Sequence, residues 1–167
     1  NGSGMVGVDW RARLMPVRVL GRCGSGSTVD IVEGMLWAAG GSIPGVPANP
    51  TPARVVNLSI GGPGECTTFE QEAFDEALSR GALVVVSAGN DNDTADGYSP
   101  ASCYGVSTVV ATDPYGYRAS YSNYSAYADI SAPGGDSSRY TESDGVLSTV
   151  DTSSSAPSGN YAYDWKN

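Results

Sequence analysis

At 167 residues the chain holds one domain's worth of sequence, enough to bury a core, and its Gly-rich, Phe-poor composition with 40% hydrophobic residues marks a globular protein with many tight turns. A net charge of −9, with Lys166 the only lysine, argues against binding to nucleic acid or an anionic membrane. No apolar run approaches the length of a membrane span, and no basic-then-apolar leader is present, so the leader of a secreted protein would have to lie outside this sequence.

In chain order the pattern alternates strand and helix. Leu14 to Leu20 reads as a strand with an irregular start at Pro16. Ser27 or Thr28 then caps a helix whose apolar side is Ile31, Met35, Leu36 and Ala39, closed by Gly40-Gly41. Ser42 to Ala53, rich in proline, reads as an irregular insertion, and Arg54 to Ser59 as a second strand. Thr67 and Glu70 form a capping box, and Phe69, Ala73, Phe74, Ala77 and Leu78 line the buried face of the next helix, ended by Gly81. The run Gly81-Ala82-Leu83-Val84-Val85-Val86 has the pattern of a strand covered on both faces. Val106 to Ala111, Tyr127 to Ile130 and Val146 to Val150 supply further short strands. Strand–helix–strand order with tight links means right-handed crossovers, and hence an α/β fold with a parallel sheet flanked by helices.

Ligands of open α/β sheets bind beyond the carboxyl ends of the strands. Ser87-Ala88-Gly89-Asn90 stands there, small residues followed by an amide that offers an N–H donor to a developing oxyanion. Taken alone, an Asn after a strand is more often a turn residue. Two other motifs mislead. Gly2-Ser3-Gly4-Met5-Val6-Gly7 matches the dinucleotide fingerprint but has no strand before it and no helix after it. The acidic loop Asp91 to Gly97 resembles a calcium loop, yet Ser102 stands where an EF-hand places its bidentate Glu, and a solvated acidic turn explains it better. The three cysteines, Cys23, Cys66 and Cys103, lack zinc-site spacing, and the chain has no His to help. One disulfide with one thiol left over suits an oxidising compartment, and three reduced thiols remain the alternative.

Six segments in order carry a family resemblance: Pro16 to Leu20, Asn57 to Gly62, Val84 to Asn90, Tyr98 to Ser102, Tyr121 to Tyr124 and Ser131 to Gly134. Together they resemble the central part of a subtilase, the subtilisin-like serine proteases, with proteinase K and secreted bacterial relatives the closer likeness. The resemblance spans essentially the whole chain and implies the three-layer α/β/α subtilisin-like architecture, here incomplete. Residues 1–167 would then be the central portion of one catalytic domain, cut at both ends. It also implies a secreted, extracellular endopeptidase with polypeptide substrates, and a propeptide as a folding partner.

By this resemblance Asn90 is the side-chain donor of the oxyanion hole. Ser59, Ile60 and Gly61 form one wall of the primary specificity pocket and pair with substrate backbone, Ser87, Ala88 and Gly89 form the opposite wall, and Gly24, Ser25 and Gly26 form the other substrate-binding edge. A peptide would lie between the two edges as an added strand. A structural calcium would be held by the carbonyls of Tyr104 and Val106 and by Asp129, one carboxylate with carbonyls and waters suiting a hard cation. The alternative is that Asp129 merely turns the chain. Cys23 and Cys66 each lie just past a segment of the same expected cleft, at the ends of strands leaving the same side of the sheet, and the expected disulfide is Cys23–Cys66 in preference to Cys66–Cys103.

The departures from the family are as informative. A chain without His has no general base, and the triad needs Asp, His and Ser. The family's His-Gly-Thr-His segment is expected upstream of Asn1 and its Gly-Thr-Ser-Met-Ala segment just after Asn167, since Tyr161 to Asn167 resembles the approach to it. The expectation is thus a fragment of a serine endopeptidase, inactive as given. A non-catalytic peptide-binding or scaffold protein on a decayed subtilase fold is the rival.

Overall fold

The computed structural model of the chain describes residues 7–137, 144–151 and 161–166. The Gly2–Val6 part of the glycine motif therefore lies outside the described residues. Four parallel strands form the main sheet: β1 (Val55–Leu58), β3 (Leu83–Ser87), β5 (Ser107–Thr112) and β6 (Ile130–Pro133), in the order β1-β3-β5-β6. The fold is α/β. Two short strands, β2 (Gly62–Pro63) and β4 (Tyr98–Ser99), pair antiparallel beyond the main sheet, and β7 (Val146–Asp151) and β8 (Tyr161–Lys166) form an antiparallel hairpin. The sequence pattern marks neither β2, β4 nor β8.

Helix α1 (Thr28–Ala38) begins where Ser27 Oγ accepts the Asp30 N–H, relieving an orphan donor of the first turn. Its core contacts come from Val32, Met35 and Ala38 with Ala39 at its end, so Met35 and Ala39 of the expected face reach the core while Ile31 and Leu36 are half-buried. The insertion at 42–53 has no regular element, yet it closes α1. Asn49 is buried and its Nδ2 donates to the carbonyls of Ala38 at 3.1 Å and Trp37 at 3.2 Å, two of the acceptors a helix end leaves open.

Helix α2 (Thr68–Ser79) starts at the expected capping box, Thr67 Oγ1 accepting the Glu70 N–H and Glu70 Oε2 accepting the Thr67 N–H at 2.9 Å. Ala73, Phe74 and Ala77 are buried, whereas Phe69 is 48% exposed and contributes little to the core. Gly81 ends the helix at φ +83°, a conformation L side chains rarely adopt.

The core gathers Val32 and Met35 of α1, Phe74 and Ala77 of α2, Val56 and Leu58 of β1, and Val84 and Val86 of β3. Burying Phe74 alone contributes roughly 1.5–3 kcal/mol. These strand residues share one face, since side chains alternate along a strand. Leu83 is 45% and Val55 56% exposed on the other face, so the expectation that β3 is covered on both sides is not met among the described residues. The physical reason is that both described helices pack over the same face.

Leu14 to Leu20 is not a strand among the described residues. Met15 and Val17 pack against the core and Val19 crosses close to Gly34 of α1, but no ladder joins this stretch to the sheet. An apolar extended sequence becomes a strand only when a neighbour takes its backbone hydrogen bonds.

Candidate active site

Parallel register sets the site. Leu58 of β1 stands opposite Val86 of β3, so Ser59 and Ser87 leave adjacent strands at the same carboxyl end of the sheet. Ser59-Ile60-Gly61 then runs into β2, which pairs with β4, Gly62 opposite Ser99 and Pro63 opposite Tyr98. A Cβ on Gly61 would fall 2.9 Å from the Ser99 carbonyl oxygen, so only glycine allows this approach. Ser99 is in turn tied to α2, its Oγ donating to Glu70 Oε1 at 2.5 Å. Burial raises the Glu70 pKa, but hydrogen bonds from Ser99 and from the N–H and hydroxyl of Thr67 outweigh it, and the carboxyl titrates below its usual range.

Ser87, the last residue of β3, pairs with Val109, and the Ala88 N–H donates to the Val109 carbonyl at 2.9 Å, holding Ala88 almost fully buried. Gly89 turns the chain at φ +108° and Asn90 emerges exposed. Among the described residues no hydrogen bond engages the Asn90 side chain, which leaves its amide N–H groups open.

The turn that carries Asn90 is laced to residues 121–124. Asn123 donates its N–H to the Gly89 carbonyl at 2.9 Å, and its Oδ1 accepts the N–H of Asp91 at 2.8 Å and of Asp93 at 3.0 Å. Asn92 donates its N–H to the Tyr121 carbonyl, and Tyr124 donates its N–H to the Asp93 carbonyl. Arg118 spans the pair of loops, donating from Nη1 to Asn92 Oδ1 at 2.8 Å and to the Ser122 carbonyl, with its guanidinium 4.8 Å from the centre of the Tyr124 ring. Burial, and then the carboxylates of Asp91 and Asp93, push the nearby Tyr98 phenol above its usual range. Asn123 and Arg118 are not singled out by sequence patterning. The one sequence cue, Ser122-Asn123-Tyr124, reads only as a family marker.

Gly24-Ser25-Gly26 is exposed at the head of α1, in a turn held by the Gly21 N–H donating to the Ser25 carbonyl at 2.8 Å. Tyr104, Val106 and Asp129 gather around the opposite, amino end of β5. Asp129 Oδ2 accepts the Thr108 N–H at 2.8 Å, two residues beyond Val106, and the Tyr104 carbonyl accepts Gln71 Nε2 at 3.1 Å. No cluster of three or more His, Cys, Asp or Glu occurs among the described residues, so a cation here would depend on one carboxylate and main-chain carbonyls. That donor set, hard oxygen throughout, fits calcium.

The expected Cys23–Cys66 pairing is wrong. Cys66 bonds Cys103, with Cα atoms 5.1 Å apart, and Cys23 is a free, exposed thiol. The β2–β4 pairing folds residues 98–103 back over the head of α2. There the Cys66 N–H donates to Ser102 Oγ at 3.0 Å and the Tyr104 N–H to Gln71 Oε1 at 2.8 Å. Cys23, by contrast, follows a stretch that is not laddered beside β1, so the assumed proximity of strand ends does not arise.

Comparison with known proteins follows the same lines. The family model described as the subtilase family matches residues 1–165. The chain is 45% identical over 163 residues to the extracellular protease of Xanthomonas campestris pv. campestris, spanning 97% of this chain and 26% of that protein. It is 46% identical over 157 residues to the extracellular basic protease of Dichelobacter nodosus, spanning 94% of this chain and 24% of that one. Among solved structures, proteases from Pseudoalteromonas arctica superpose with a TM-score of 0.93 at 48% identity, over 99% of this chain and 48% of theirs. The chain thus spans about a quarter of the length of these two curated relatives.

Proposed function

The chain belongs to the subtilase family, and on that footing we propose that it forms the oxyanion and substrate-binding portion of a secreted serine endopeptidase that cleaves polypeptides through an acyl-enzyme. The observation that carries this reading is Asn90, presented by a tightly laced turn at the carboxyl end of β3 with its amide unengaged. Such a donor stabilises the negative oxygen of the tetrahedral intermediate more than the neutral carbonyl, and therefore acts on turnover. Ser59-Ile60-Gly61 and Gly24-Ser25-Gly26 would hold the peptide backbone as an added strand, and Ser87-Ala88-Gly89 would face Ser59-Ile60-Gly61 across the primary pocket.

The sequence contains no His, so the imidazole base, with its Asp and the nucleophilic Ser, would be supplied from outside these 167 residues. Alone they would not hydrolyse peptides. The names of the Xanthomonas and Dichelobacter relatives support secretion, and the Cys66–Cys103 disulfide suits an oxidising compartment. A propeptide would act as a partner in folding. Tyr104, Val106 and Asp129 would hold a structural calcium; the positive charge would offset the Asp129 carboxylate, and the shared ligands would tie the start of β5 to the approach to β6.

The test is to express the complete polypeptide containing this segment. Hydrolysis of a chromogenic peptide amide, with covalent labelling by a fluorophosphonate, is the expected result. A folded, complete protein that neither cleaves nor labels would favour the non-catalytic peptide-binding alternative.

A further inference from the structure

Asn123 is 0% exposed, and its backbone N–H and side-chain oxygen are both spent on the turn that presents Asn90. Its backbone N–H fixes the Gly89 carbonyl on one side of Asn90, and its Oδ1 collects the Asp91 and Asp93 N–H groups on the other. Its Nδ2 makes no hydrogen bond among the described residues and is pressed against Gly89, where a Cβ would sit 2.4 Å away. A buried amide with an unpartnered donor is costly, and a shorter apolar residue would avoid that cost. What an apolar residue cannot do is hold two backbone N–H groups from inside the turn.

We propose that Asn123 is the positioning residue of the site: its side-chain carbonyl is the internal peg around which residues 89–93 wrap, and it fixes the direction of the Asn90 amide. The inference rests on the assignment of Asn90 as the oxyanion donor. A donor misplaced by about an ångström loses up to roughly a hundredfold in rate, whereas ground-state binding, made elsewhere along the peptide, is little changed. Asn123 therefore acts on turnover through Asn90 without touching substrate.

The test is a double-mutant cycle in the complete protein, reading kcat and KM on a chromogenic peptide amide for wild type, Asn90→Ala, Asn123→Ala, the double variant and Asn123→Asp. Asn123→Ala is expected to lower kcat about ten- to hundredfold with KM little changed. In the Asn90→Ala background the same change should cost less than roughly threefold, because the group it positions is already gone. Asn123→Asp keeps the accepting oxygen and should retain kcat within about tenfold of wild type. A loss from Asn123→Ala that carries over undiminished to the double variant, or no loss at all, overturns the inference while leaving Asn90 in place. An unchanged kcat in Asn90→Ala instead overturns the oxyanion reading itself, and this inference with it. Should Asn123→Ala not fold, Asn123→Asp decides: a fall in kcat as deep as that of Asn90→Ala refutes the peg.

Discussion

Gly89 lies so close to Asn123 that a Cβ placed on it would fall 2.4 Å from Asn123 Nδ2. Gly89 also holds φ +108°, so an L side chain there meets both backbone strain and a buried amide with little room to retreat. Gly89→Ala should therefore destabilise the complete protein by on the order of 1–3 kcal/mol and lower its turnover, since the displaced turn carries Asn90. Urea unfolding and peptide hydrolysis check this together. An unchanged midpoint and unchanged kcat would mean the turn relaxes freely and does not orient the amide.

Asn90→Ala removes the donor without disturbing its support, because no described hydrogen bond within the chain engages the side chain. The expected loss in kcat is roughly a hundred- to a thousandfold with KM little altered; this is the magnitude known for the same kind of deletion in subtilisin, a member of the family, and is adopted from it rather than obtained from this chain. Steady-state kinetics on one peptide substrate suffices. Equal activity of variant and wild type removes Asn90 from the mechanism.

What could be read from sequence and what could not separate along physical lines. The Thr67–Glu70 capping box, the Ser27 cap and the Gly81 stop are local chemistry, complete within a few residues, and each stands where the sequence puts it. The apolar run of β3 is equally legible as a strand. Burial is not local: Leu83 reads as a core residue but lies on the sheet face that neither described helix covers. The Cys66–Cys103 bond depends on β2 and β4, two-residue strands too short to carry any periodicity. Asn123 was illegible because its partners are backbone N–H groups 30 and 32 residues away, and any sequence supplies backbone N–H groups.

Glu70 gives the acid limb of stability a specific source. Its carboxyl is raised by burial and lowered more strongly by the hydrogen bonds from Ser99 and Thr67, so its folded pKa lies below the ordinary, unfolded value of 4.5. The sign follows: its contribution is fully present above that unfolded value and is lost as pH falls through the lowered folded pKa. Glu70→Gln should flatten the loss of stability on the acid side of that ordinary value while lowering stability near neutrality. Thermal melts across that range decide it, and a variant with an identical acid limb shows that other carboxyls control it.

The disulfide closes a stretch with a sequence separation of 37 between Cys66 and Cys103, enclosing α2, β3 and the Asn90 turn. In the chain-entropy model a loop of that size is worth roughly 4 kcal/mol. Cys103→Ser in the complete protein should lower the melting temperature strongly, and Cys23→Ser, which removes a free exposed thiol, should not. Non-reducing peptide mapping gives the direct test. A cross-linked peptide joining Cys23 to Cys66 would contradict the pairing.

Calcium is the last handle, and Asp129 isolates it. Asp129 Oδ2 accepts the Thr108 N–H at 2.8 Å, a bond that an amide oxygen can also accept. Asp129→Asn thus removes the charge a hard cation requires while keeping the contact that holds residue 129 to β5. A cation bound only by the folded state stabilises it by mass action, about 2.7 kcal/mol at a free concentration a hundred times Kd. The complete wild-type protein should melt higher with added calcium and lower in chelator, and the variant should lose the portion of that response due to this site. Without metal the variant should melt near the chelated wild type, since its hydrogen bond survives. If its melting temperature follows calcium just as the wild type's does, Asp129 is not a ligand and serves only to turn the chain into β6.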